Sequence, residues 1–169
     1  MPTPPPFATK TLGADPDATA PDGTAVRLLN ALAGGSMAHF ELPAGAVSHA
    51  VTHRTVEELW YVTAGRARLW RRSGTYERVD ALGPGVAVTI PLGTAFQFRA
   101  EGDGPFAFVA VTMPPWPGMG EAVPADGPWA PTVPAGTRGG APGAGRPTAG
   151  EAPLRPPGPA ASQAGDGPD

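Results

Sequence analysis

Between residues 26 and 113, apolar and polar side chains alternate with period two in short runs broken by Gly and Pro. The runs predict strands at Val26–Leu32, Met37–Leu42, Ala46–His53, Glu57–Thr63, Arg66–Arg72, Thr75–Asp80, Val86–Ile90 and Phe96–Ala100. A ninth, Phe106–Met113, is apolar almost throughout. Gly34-Gly35, Pro43-Ala44-Gly45, Ala64-Gly65, Ser73-Gly74, Leu82-Gly83-Pro84-Gly85 and Pro91-Leu92-Gly93 supply the turns, together with the polar stretch Glu101–Pro105. No run carries a helical repeat. Short strands with turns about every ten residues predict an antiparallel sandwich or barrel.

Because alternate residues of a strand face opposite ways, the pattern also assigns the interior. Val47, Val51, Trp60, Val62, Leu69, Val88, Ile90, Phe96, Phe98, Phe106 and Phe108 are expected inside. On Ala46–His53 the same face carries Val47, His49, Val51 and His53. Glu58 shares parity with Trp60, which sends Tyr61 outward. Because Phe40 and Leu42 read as core-facing, alternation sends His39 outward with Glu41, exposed or at a dimer interface.

Composition sets the domain limits. Of 169 residues 24 are Gly and 24 are Pro, so the two together reach the level of low-complexity segments. Only four prolines (Pro43, Pro84, Pro91, Pro105) fall within residues 22–113. Residues 1–21 are therefore expected to be a disordered N-terminal tail and 22–113 the barrel. Residues 114–131 read as an extended strip that Trp116 and Trp129 pack back onto the barrel, and 132–169 as a disordered low-complexity tail.

Charge and cysteine content remove several function classes. The net charge is −3 with no basic stripe, so nucleic acid is not an expected partner. Arg66, Arg68, Arg71 and Arg72 around Trp70 read as a solvated strand end whose Arg stems lie on an aromatic. There is no cysteine, which excludes disulfides, thiolate metal sites and thiol nucleophiles. No apolar run approaches membrane-spanning length and no secretory signal is visible, so the expectation is a cytoplasmic protein with no membrane partner. No Gly-rich phosphate loop precedes a helix, so no nucleotide cofactor is expected.

Spacing then brings a family into view. Gly45 is followed after five residues by Val51-Thr52-His53, after four more by Glu58, and after six more by Gly65. Gly85 is followed after five residues by Pro91-Leu92-Gly93 and after two more by Phe96. Over residues 37–113 this resembles the two motifs of small single-domain cupins, and Glu57–Gly65 (Glu-Glu-Leu-Trp-Tyr-Val-Thr-Ala-Gly) resembles their usual text. The resemblance implies a double-stranded β-helix, a jelly-roll barrel with a central metal held by two first-motif histidines, a Glu and a second-motif His. By position this chain keeps His53 and Glu58 but has Val51 and Phe96 at the other two places, a degenerate motif.

The resemblance and the residues together define a candidate site. Its polar members are His49, His53 and Glu58, and Trp60, Phe96 and Phe98 are its expected apolar walls. A divalent metal (Fe, Mn or Zn) would take His53 and Glu58, with His49 as a third ligand. His49 lies about 13 Å along a strand from His53, against about 7 Å for an i, i+2 pair, so it reaches the ion only if the strand bends or bulges. Glu58 facing the interior requires a partner: His53, a metal or a polar ligand. Three functions follow: a cupin binding a small polar metabolite with weak or no metal, a metal-dependent isomerase or oxygenase, or a dimeric scaffold. The resemblance also implies a homodimer, as does an open sheet edge.

Overall fold

The computed structural model describes residues 6–118 and 120–136. Eleven strands occur among the described residues: β1 Ala18–Thr19, β2 Ala25–Leu32, β3 Gly35–Leu42, β4 Val51–His53, β5 Glu57–Ala64, β6 Arg66–Ser73, β7 Tyr76–Leu82, β8 Ala87–Ile90, β9 Ala95–Glu101, β10 Phe106–Met113 and β11 Ala122–Pro124. They form two antiparallel sheets, in the orders β1-β2-β3-β10-β5-β8 and β11-β4-β9-β6-β7, which face each other as a jelly roll.

The core lies between the sheets and is largely aromatic. Trp60 stacks on Phe108 at 4.1 Å between ring centroids and meets Phe96 and Phe98 edge-on at 5.5 and 5.4 Å. Phe106 and Phe40 extend the cluster from Phe98 and Phe108, while Val62, Leu69, Leu82 and Ile90 fill between the rings. Such ring pairs add about 0.5–1.5 kcal/mol each beyond area burial. At Gly65, φ is +73° and an added Cβ would sit 2.2 Å from the Pro105 carbonyl oxygen, so the β5–β6 turn admits only glycine.

Three features depart from the sequence expectation. First, the stretch Ala46–His53 is not one regular strand. Val47 bridges Arg99 and Val51 pairs with Phe96, so four steps on one side match three on the other. This extra residue is a β-bulge, and it switches which face the side chains take. Ala46 and Val51 join the core between the sheets, whereas Ala50 joins a second cluster on the outside of the smaller sheet. Val47 is accordingly only half-buried rather than an interior residue.

Second, the folded region exceeds residues 22–113. The Asp17 carboxylate accepts from the Leu28 N–H, and β1 pairs with β2. Third, the chain after β11 runs across the outer face of the smaller sheet. Buried Gln97 donates from Nε2 to the Ser48 and Trp129 carbonyls and accepts from the Trp129 N–H. Trp129 also lies under the Arg99 guanidinium, 4.7 Å away. Thr132 and Val133, placed in a disordered tail by composition, instead bond to Val47 and His49. The remainder of that expected tail, 137–169, lies outside the described residues, as do 1–5 of the N-terminal one.

Candidate functional site

Glu58 and Trp60 lie on β5, whose strict alternation (Glu58, Trp60 and Val62 buried; Glu57, Leu59 and Tyr61 exposed) aims both into the barrel. His53 ends β4, beside Phe96 of β9, the Cα partner of Val51. The four positions named by the family motif therefore do meet. His53 Nδ1 stands 4.0 Å from Glu58 Oε1, and the His53 ring meets Phe96 edge-on at 5.2 Å. The side chains of His53 and Glu58 are only 6% and 5% exposed.

Burial governs the charge of this pair. Glu58 is pushed up to about 7, chiefly by desolvation, although the Trp60 indole N–H, donating to Glu58 Oε2 at 2.7 Å, favours the charged form. The nearby Asp22 carboxylate raises it further. Burial drops His53 to about 4, against a smaller upward pull from Glu121. Between those values imidazole and carboxyl are both neutral, so their 4.0 Å approach is not an ion pair there. Among the described residues, His53 Nδ1 has no hydrogen-bond partner.

His49 is a correction. The bulge breaks the parity it would share with His53; its Nε2 lies 2.7 Å from the Val133 carbonyl oxygen and its backbone N–H donates to the Asp22 carbonyl. It belongs to neither the pocket nor a metal site shared with His53. The other expected pocket members are placed differently too. Phe96 and Phe98, 2% and 0% exposed, pack against Trp60 rather than bordering open space. His39 is half-buried on the outer face of the larger sheet, between its cross-strand partners Arg27 and Val109. Among the described residues, no three His, Cys, Asp or Glu side chains are grouped to hold a metal ion.

Two residues join the site that sequence reasoning did not place there. Trp116, beyond β10, lays its ring edge-on against His53 at 5.3 Å. Glu121 is buried just before β11. Its Oε1 accepts from the Thr55 and Val56 N–H groups at 2.6 and 2.8 Å, and its Oε2 from Thr55 Oγ1 at 2.8 Å. These donors outweigh burial and hold its carboxyl below the usual range. Both its oxygens are thus engaged by the turn after His53. The arginines read as a solvated strand end divide: Arg72 lies over Trp70, Arg68 pairs with Glu101, and Arg71 is tied to Asp80 and to the Thr89 carbonyl.

As a metal site this set falls short. Val51 and Phe96 offer no donor atoms, His49 faces away, and one Glu58 oxygen already accepts an indole N–H. Two protein ligands are fewer than the three that catalytic zinc keeps or the facial triad of non-haem iron. Among the described residues, no helix is long and apolar enough to cross a membrane.

The comparisons with known proteins agree with this architecture. The Cupin domain family matches residues 38–112. An oxalate decarboxylase structure superposes with a TM-score of 0.51 at 18% identity, over 56% of this chain and 27% of that one. This chain thus spans about a quarter of that enzyme's length. The Bacillus subtilis oxalate decarboxylase, described by its Mn(II) centres, matches with a TM-score of 0.51 and 18% identity, over 57% of this chain and 27% of that one. An uncharacterised conserved protein with a double-stranded β-helix domain from Klebsiella pneumoniae gives 0.51 at 19% identity, over 62% and 85% of the two chains. No curated protein sequence matches significantly. At such identities the likeness is one of fold. Together with the family match over residues 38–112, it gives this part of the chain a cupin-like fold.

Proposed function

We propose that this cupin binds a small polar metabolite without a tightly held metal, using His53 and Glu58 as polar anchors. The observation that carries this reading is the pair itself, a buried imidazole nitrogen without a partner among the described residues, 4.0 Å from a carboxyl oxygen. Leaving a buried polar atom unpaired costs about 1–3 kcal/mol, which a ligand group bonding to both would recover. Both anchors are neutral over much of the range from pH 4 to 7, which favours an uncharged polar group over a strongly charged one.

The second reading is a metal-dependent isomerase or oxygenase, and it rests on fold analogy with proteins such as the oxalate decarboxylase. Fe, Mn or Zn would take His53 and Glu58 and complete its shell from the ligand. The third is a homodimeric scaffold. It draws support from Met37, Leu59 and Tyr61, which are 40%, 49% and 54% exposed on the outer face of the larger sheet.

Elemental analysis of natively purified protein, with His53→Ala as control, separates the first two. Sub-stoichiometric metal, with a melting-temperature rise from an uncharged metabolite that disappears in His53→Ala, is the expected result. Stoichiometric metal that vanishes in His53→Ala would overturn it.

A further inference from the structure

Both anchors are almost wholly covered, so a ligand reaches them only when something moves. Two rings flank His53 edge-on, Phe96 and Trp116. Phe96 is fixed: its strand is paired on both sides, with Val51 on one and Arg71 on the other. Trp116 is held differently. It lies on a strap of residues 114–118 in which Pro114, Pro115 and Pro117 have no N–H to donate. Its own N–H donates to Ser36 Oγ at 2.9 Å, and Ser36 Oγ in turn shares a 2.6 Å hydrogen bond with Thr112 Oγ1.

The strap's two flanks are much firmer. On one side β10 is paired with both β3 and β5 out to Thr112. On the other, the Glu121 carboxylate takes three hydrogen bonds and its carbonyl accepts the Arg54 N–H. Gly118 and Gly120 between them have φ of 110° and 83°, so the backbone there takes conformations closed to other residues. A segment with few backbone hydrogen bonds between two well-anchored ends is the one that opens first.

We infer that Trp116 is the removable wall of the His53–Glu58 site, carried on the strap 114–118, which swings aside to admit a ligand. Among the described residues, opening breaks the Trp116–Ser36 hydrogen bond and the Trp116–His53 ring contact, and both sheets keep their pairing. When the strap closes, the indole returns against His53 and removes the anchored ligand from water. This inference rests on the ligand-binding reading above, but its test does not need the ligand.

Diethyl pyrocarbonate modifies neutral imidazole, and peptide mass spectrometry resolves the rates at His39, His49 and His53 separately. In the full-length protein at pH 6.5, His53 should react at least about tenfold more slowly than free imidazole. Trp116→Ala should accelerate His53 at least about tenfold and leave His39 and His49 unchanged. Ser36→Ala should accelerate it severalfold, and Trp116→Phe should stay close to the parent. An unchanged His53 rate in Trp116→Ala would overturn the inference, as would equal acceleration at all three histidines, which would mean general loosening. Gating with no binding across an uncharged-metabolite set would refute the ligand reading alone.

Discussion

Trp60 donates its indole N–H to the carboxyl of Glu58, two residues earlier on the same strand, at 2.7 Å. The spacing puts both on the inner face of β5, and the stacking of Trp60 on Phe108 fixes the direction of that N–H. One side chain therefore serves both as core filler and as a hydrogen-bond donor to a buried carboxyl. Burial drives Glu58 toward its neutral form and the indole opposes it.

Trp60→Phe keeps an aromatic ring and deletes the donor. The Glu58 carboxyl should then titrate above its present value of about 7, because the lost bond favoured the charged form. Carbon-13 NMR of the Glu58 side-chain carboxyl would follow this directly. The variant should also lose about 1–3 kcal/mol of stability by urea unfolding. A Glu58 titration unchanged or lowered in Trp60→Phe would contradict the assigned hydrogen bond.

His53 and Glu58 make opposite contributions to stability across mildly acidic pH. Glu58 rises from its ordinary 4.5 to about 7 on folding, so its contribution is fully present below 4.5 and lost as pH rises through 7. His53 falls from 6.5 to about 4, so its contribution is present above 6.5 and lost as pH drops through 4. Each amounts to about 3 kcal/mol at most, because a tenfold change in proton affinity on folding is worth roughly 1.4 kcal/mol. Between 4.5 and 6.5 the slopes cancel, and the parent should show little pH dependence there from these two groups. Glu58→Gln should become more stable as pH rises from 4 to 6.5, and His53→Asn less stable as pH rises from 4.5 to 7. Parallel profiles for the two variants would sink this account.

How far the sequence revealed this arrangement depended on local regularity. From Glu57 to Val62 of β5 nothing interrupts the alternation, so parity alone places Glu58 and Trp60 inside and Tyr61 outside. The same reasoning fails four residues before His53. Parity puts His49 on its face, but the bulge between Val47 and Val51 inserts one residue, and no Gly or Pro between them announces it. Glu121 was invisible for another reason. It sits in a Gly/Pro/Ala-rich segment without periodicity, and its value comes from the N–H groups of Thr55 and Val56, some 65 residues away in sequence. Composition likewise misplaced Thr132 and Val133, because their partners Val47 and His49 lie some 85 residues away in sequence.

The chain after β11, laid across the smaller sheet, should behave as part of the fold. Gln97→Ala deletes two donated bonds and one accepted bond at a buried site, leaving the Ser48 carbonyl and the Trp129 backbone groups without those partners. A loss of about 2–4 kcal/mol is expected, with faster amide exchange at Trp129. Truncation after residue 131 removes the Thr132 and Val133 contacts with Val47, His49 and Gly23, and should lower the melting temperature as well. Calorimetry of both proteins checks this. Transitions matching the full-length chain would show that this segment contributes no stability.

The metal-free reading of the pair is tested most directly by restoring the missing donors. Val51 and Phe96 are Cα partners whose side chains both face the core, and the Phe96 ring touches that of His53. Val51→His with Phe96→His would therefore place two imidazoles beside His53 and Glu58 and raise the set from two donors to four. The double variant should bind Co(II) at one equivalent, with intense visible d–d bands, whereas the parent should show no such spectrum at the same metal concentration. Some stability will be lost, since Phe96 packs against Trp60 in the core, but added metal should recover part of it by binding only the folded state. If the parent alone takes up one equivalent of Co(II), and His53→Ala abolishes that uptake, the two remaining donors suffice and the metal-free reading fails.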